Sequence, residues 1–177
     1  MFDARTFPTT LKGAEEVLVK EKATFKGDYA LTDKIYISKD PTQTLNTVFL
    51  RLRIISKNIW NDNLILVVIK NTELKKIGKQ SIIPVKKGFD TEKDAQKFIK
   101  DTYADSFQYS FEFDRTGRQY FIGEDGVDLE EAEGHPTIEF KSKTEEGLQK
   151  LLDVFNVKSG EVIKGPSVVA IKKILGK

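Results

Sequence analysis

Apolar residues recur at every second position through much of the chain, most clearly over residues 48–55. Strand side chains alternate between two faces. Val48, Leu50, Leu52 and Ile54 therefore form one apolar row, and Arg51 and Arg53 lie side by side on the other face between Phe49 and Ile55. Two permanently charged guanidiniums in such a setting need water, an anion or carboxylates to meet them. The spacing leaves two readings open: an edge strand with a solvated basic face, or a pocket wall aimed at phosphate.

The same period predicts strands over 16–25, 34–38 and 64–70, separated by Gly27-Asp28, Asp40-Pro41-Thr42 and Asn61-Asp62-Asn63 as turn signals. Successive strands joined by short turns predict antiparallel neighbours. The segment 74–90 is lysine-rich and broken by Gly78, Pro84 and Gly88, with Ser81-Ile82-Ile83 as a short strand. Alternation returns over 107–114, and Gly117 predicts a turn before a strand at 119–122. Glu124-Asp125-Gly126 turns again, and a last strand carries Ile138 and Phe140 opposite Thr137, Glu139, Lys141 and Lys143.

Three helices break this rhythm. Thr91 is placed to cap one whose packed face is Ala95, Phe98 and Ile99, and Thr144 to cap another. In the latter, Leu148, Leu151, Leu152 and Phe155 form an i, i+3, i+4, i+7 stripe behind Glu145 and Glu146. Pro166 suits the first turn of a final helix through Ile171 and Leu175. Residues 1–15 show no period and read as a lead-in to a single domain over 16–177. The fold class expected is α+β: an antiparallel β-barrel or tunnel with about three helices packed outside. Charged strand faces turned inward would make a wet lumen, and turned outward an ordinary small barrel; periodicity does not choose between them.

A chain of 177 residues is long enough for one domain with a proper core. Its 29 Lys+Arg against 27 Asp+Glu give a formal net charge of +2, so no global field recruits extended nucleic acid or an anionic membrane. Any basic function depends on local placement. Without cysteine there are no disulfides, thiolate metal sites or cysteine nucleophiles, and one histidine, His135, excludes a histidine-rich zinc site. No apolar stretch has the length of a membrane span, and a cytoplasmic location is expected.

The order of motifs resembles the CYTH, or triphosphate tunnel metalloenzyme, superfamily, which includes class IV adenylyl cyclases, thiamine triphosphatases and inorganic triphosphatases. The likeness runs through Glu16-Val-Leu-Val-Lys20, Asp33-Lys-Ile-Tyr36, Leu50-Arg51-Leu52-Arg53, Lys70, the Thr91-led helix, Phe111 to Tyr120, Glu130-Glu131-Ala132-Glu133-Gly134 and Ile138-Glu139-Phe140-Lys141. The resemblance implies a tunnel in which basic side chains hold phosphate oxygens and carboxylates hold Mg2+ or Mn2+. Carried over by position, Lys20, Lys22, Arg51, Arg53, Lys70, Arg115, Arg118 and Lys141 would bind phosphate. Glu16 and Glu139 would bind metal, helped by Glu112 or Asp114 if these face inward, and Lys20 and Glu139 would carry the catalysis. Three positions depart from the family pattern. Leu18 stands where the Glu-x-Glu-x-Lys signature has its second glutamate, Lys141 where the closing strand has its second, and Phe113 two before Arg115 where a basic residue is usual.

The function implied is binding of a small phosphorylated ligand, a triphosphate, nucleotide or cyclic nucleotide, and its hydrolysis with a divalent metal. The alternative is a nucleotide-binding or sequestering protein on the same scaffold that leaves its ligand intact. Charges that are merely surface remain the third reading.

Overall fold

The computed structural model describes residues 1–57, 59–60, 64–75, 77–163 and 165–176; the expected turn at Asn61-Asp62-Asn63 lies outside the described residues. The strands are β1 (Phe2–Thr6), β2 (Thr24–Ser38), β3 (Val48–Lys57), β4 (Ile65–Leu74), β5 (Lys79–Phe89), β6 (Phe107–Ile122), β7 (Asp125–Ala132) and β8 (His135–Ser142). The helices are α1 (Lys12–Lys20), α2 (Glu92–Tyr103), α3 (Glu145–Val154) and α4 (Ser167–Ile174), with a short 3-10 turn at Ser159–Glu161. The strands close into one antiparallel barrel in the order β1-β5-β4-β3-β2-β6-β7-β8. Among the described residues no helix is long and apolar enough to cross a membrane.

β1, β3, β4, β7 and β8 send one face outward under a helix and the other into the lumen. On β3, Leu50 and Leu52 face out and pack with Ile65 and Val67 of β4 against Ala95 and Ile99 of α2. Val127, Leu129, Ile138 and Phe140 face out on β7 and β8 beneath Leu148, Leu151 and Leu152 of α3. The helix starts follow the expected caps: the Thr91 hydroxyl accepts from the Asp94 N–H at 3.1 Å, and that of Thr144 from the Gly147 N–H at 3.0 Å. Val168 and Ile171 of α4 pack on Ile35, Phe49, Phe111 and Phe113, which share faces with the lumen charges, and so close one end of the barrel.

Several expected elements are corrected. Residues 12–20 are helix, not strand: Ala14 and Leu18, one turn apart, are buried, while Val19 is 79% exposed. The expected lead-in contains β1, which completes the ring by pairing with both β5 and β8. Gly117 does not turn the chain but sits within the 16-residue β6, where a side chain would strike the Tyr29 ring. The lysine-rich stretch is the continuous strand β5, and 125–132 is a strand that closes on β8 through a two-residue turn with Glu133 and Gly134 at positive φ.

Candidate functional site

The lumen is charged at its centre. Asp33 on β2 lies opposite Arg53 on β3, and its fully buried carboxylate accepts a two-point contact from Arg53, Nε to Oδ1 at 2.7 Å and Nη2 to Oδ2 at 2.8 Å. Arg115 Nη2 of β6 adds a third bond at 2.8 Å. Burial opposes ionisation of Asp33, but the guanidiniums of Arg53, Arg51 and Arg115 outweigh it and hold the carboxyl well below the usual carboxylate range. On the opposite wall Glu130 of β7 accepts from Arg5 of β1, from Arg115 at 3.1 Å and from the Tyr29 hydroxyl. Arg5 also meets Glu139 of β8 at 2.9 Å and the Thr137 hydroxyl at 2.7 Å. Lys141 reaches both Asp128, which lies opposite Glu139 on β7, and Glu139 itself at 2.9 Å. Asp3 is met by Lys79 and, at 3.1 Å, by the Ser81 hydroxyl.

Two cations stand outside this matching. Among the described residues Arg51 comes no nearer to a carboxylate than 3.7 Å, from its Nε to Asp33, and that buried Nε has no hydrogen-bond partner. Burial and the neighbouring Arg53 push its pKa down to about 9, which still leaves it cationic at neutral pH. Lys70, at the middle of β4, has neither hydrogen bond nor ion pair among the described residues. Burial, with Lys79 and Arg51 nearby, pushes its amine down to about 7. Both line a cavity of about 210 Å³ together with Arg53, Arg115, Glu139 and Lys141. A larger cleft of about 410 Å³ lies outside the barrel beside α1, but its mostly apolar walls hold one carboxylate, Glu161, and no cation.

The expected site residues divide accordingly. Arg51, Arg53, Lys70, Arg115, Glu139 and Lys141 converge on the cavity. Glu16 and Lys20 lie exposed on α1 and Lys22 in the turn after it, so none reaches the lumen. Arg118 points outward and pairs with Glu15 of α1 at 2.5 Å. Glu112 faces out toward Lys34 at 3.3 Å, and Asp114 accepts from the outward Thr32 hydroxyl at 2.6 Å, so neither helps a luminal metal. The reading of the sequence missed Asp3, Arg5, Lys79, Asp128 and Glu130, and gave Asp33 no role. Two alternations were the available signal: Asp3-Ala4-Arg5 and Asp128-Leu129-Glu130. The same alternate spacing falls on Met1, just before β1, and on Asp3 and Arg5 within it.

Asp128, Glu130 and Glu139 offer oxygens that lie within 4.8 Å of one another, a donor type that suits a hard divalent ion. Their charges, however, are already balanced by Lys141, Arg5 and Arg115. Lys141 bridges two of the three carboxylates, and they hold its amine protonated against the pull of burial. As they stand, these residues do not fit a divalent ion; one could enter only by displacing the ammonium group. Across the whole lumen, Arg5, Arg51, Arg53, Arg115, Lys70, Lys79 and Lys141 face Asp3, Asp33, Asp128, Glu130 and Glu139, so the described cations outnumber the anions.

No family model matches the chain, and no curated protein matches it by sequence. Solved structures do. The PH1819 protein of Pyrococcus horikoshii superposes with a TM-score of 0.74 at 17% identity, over 97% of this chain and 98% of that one. A candidate adenylate cyclase of Vibrio parahaemolyticus gives a TM-score of 0.67 at 16% identity, over 100% and 99%. HpAC1 of Hippeastrum, a candidate adenylyl cyclase described as having a dominant triphosphatase activity, gives 0.66 at 13% identity, over 98% and 96%. The likeness in each case runs nearly end to end, through the closed ring of strands as well as the helices outside it. This chain has the CYTH, or triphosphate tunnel, fold.

Proposed function

We propose that the lumen binds a compact polyphosphate, inorganic or the tail of a nucleotide, without needing a divalent metal. The observation that carries this reading is the placing of Lys141 across Asp128 and Glu139 while Arg51 and Lys70 remain unmatched in the same cavity. The protein supplies its own cation to the acidic wall and leaves two more facing the space a ligand would fill. Arg51 can direct paired N–H donors at phosphate oxygens, and Lys70 adds a compact positive charge. At about 210 Å³ the cavity is smaller than the usual pocket for a drug-sized molecule, so a nucleotide would place its phosphates inside and its base at the open mouth. The cyclase and triphosphatase descriptions of the Vibrio and Hippeastrum structures support the same ligand class.

A second reading, hydrolysis with Mg2+ or Mn2+, is favoured by the three clustered carboxylates. It requires Lys141 to swing away when metal and substrate enter together. Calorimetry with tripolyphosphate, ATP and cyclic AMP in the presence of a chelator separates the two. The first reading expects binding that a chelator does not weaken, and a loss of about 1.5–3 kcal/mol, roughly 10- to 150-fold, in Arg51→Ala. Manganese-dependent phosphate release that disappears in Glu139→Gln would establish the second. Failure of the wild-type protein to bind any phosphate compound would remove both.

A further inference from the structure

Two lysines share the cavity in opposite circumstances. Lys141, its side chain 28% exposed, is pinned between Asp128 and Glu139 and so stays protonated and without a free lone pair. Lys70 is also partly open to the cavity, but no described group accepts a bond from it. The charges that face it come from four other strands. Arg51 on β3 and Lys79 on β5 oppose its charging, while Asp3 on β1 and Glu139 on β8 favour it from beyond ion-pair distance. Asp3 is itself occupied by Lys79, and Glu139 by Arg5 and Lys141, so neither carboxylate is free to fix the amine. A substantial share of Lys70 is therefore neutral near pH 7, and a neutral amine is a nucleophile.

We infer that Lys70 is an imine-forming site for small aldehydes that carry a phosphate group. The phosphate would be held by Arg51, whose buried Nε lacks a partner, with the carbonyl presented to the amine beside it. The Lys70 nitrogen adds to the carbonyl carbon, a proton moves from nitrogen to oxygen, and the carbinolamine loses that oxygen as water to leave a C=N bond. No oxidant or reductant is consumed, and addition of water reverses the step. Occupation by such an aldehyde would block the polyphosphate site. This inference rests on the phosphate-binding reading for its choice of aldehyde and on the unpaired amine for its reactivity.

The full-length protein is treated at pH 7.5 with pyridoxal 5′-phosphate, the imine is reduced with borohydride, and the labelled lysines are located by peptide mass mapping. Parallel samples contain pyridoxal without phosphate, excess tripolyphosphate, or the Lys70→Arg protein. Lys70→Met is a second variant, and because the amine has no partner among the described residues, neither change strands a carboxylate there. The expected result is at least tenfold more label on Lys70 than on Lys141, suppression by tripolyphosphate, weak labelling by pyridoxal, and loss of the site in both variants. Label on Lys141 or on surface lysines with Lys70 untouched would overturn the inference, and tripolyphosphate binding measured on the same sample would show that the phosphate site itself survives. Equal labelling of Lys70 by both aldehydes, unprotected by tripolyphosphate, would overturn the choice of ligand class and the phosphate-binding reading with it.

Discussion

Replacing Glu130 by Gln tests whether the luminal charges act as one network. The carboxylate is 2% exposed and accepts from Arg5, Arg115 and Tyr29. Glutamine preserves the volume but removes the charge, and its amide N–H groups face guanidinium donors. Breaking a buried pair by neutralising one partner commonly costs 3–5 kcal/mol. Here each arginine keeps another carboxylate, Arg5 that of Glu139 at 2.9 Å and Arg115 that of Asp33 at 2.8 Å. The lower end, about 3 kcal/mol, is therefore expected, equivalent to a fall in Tm of roughly 6–12 °C for a chain of this size. Burial opposes the ionisation of Glu130, but Arg115 and Arg5 outweigh it and hold its pKa below the usual value. Its contribution is thus complete above the unfolded-state glutamate pKa of about 4.3 and is lost as pH falls through the lower folded value. Urea unfolding at pH 7, followed by circular dichroism, measures the difference. Glu124→Gln at the exposed pair with Lys143 serves as control and should not move the curve. A loss below about 1 kcal/mol in Glu130→Gln would show that water, not the network, satisfies the arginines.

Three further outcomes follow from the placement of side chains. In Gly117→Ala the new Cβ would lie 2.3 Å from Cζ of Tyr29; displacing that ring from Glu130 should lower stability by about 1–3 kcal/mol, and an unchanged melting curve would show that the lumen is looser than described. Lys70 has a folded pKa of about 7, below its unfolded value, so between about pH 7 and 10.4 the unfolded chain binds more protons and stability rises with pH. Lys70→Met should lack that rise, and a wild-type-minus-variant difference that stays constant between pH 7 and 9.5 would contradict it. Lys20→Ala and Arg118→Ala remove cations on the outside of the barrel and should leave tripolyphosphate affinity unchanged by calorimetry, whereas a tenfold loss in either would place that residue at the site.

The parts of the fold that were legible are those where polar means solvent. The stripe of α3 and the threonine caps follow helical rules because one face of each helix meets water. On β3 the alternation assigned side chains correctly to two faces, and Leu50 and Leu52 lie under α2. Inside the barrel the rule inverts. Asp3, Arg5, Asp33, Asp128 and Glu130 are among the most buried of the described residues, and on β1 and β7 the outward Ala4, Val127 and Leu129 between and beside them are buried too. A strand covered on both sides by different chemistry has little solvent face to mark it, which is why β1 read as a lead-in and β7 as no element beyond the turn at its start. Glycine misled for a related reason: at Gly117 the missing side chain makes room for an inward tyrosine, and the strand runs on.

The misplaced first motif shows how far a site can be transferred by spacing alone. Glu16 and Lys20 satisfy an alternating strand pattern, but a separation of four is also one helical turn, and Ala14 and Leu18 share that spacing on the buried side of α1. What decides between the two periods is the ring of strands, which cannot close between β5 and β8 without residues 2–6. Once Asp3 and Arg5 occupy the lumen, Leu18 no longer counts as a lost carboxylate, and Lys141 is the residue that stands between the acidic wall and a divalent ion. Its meaning in turn depends on Asp128, which pairs with Glu139 across the β7–β8 ladder and so brings a second carboxylate within reach of the same amine. A lysine that looked like a lost carboxylate is, with both neighbours in place, the shared counter-ion of two carboxylates.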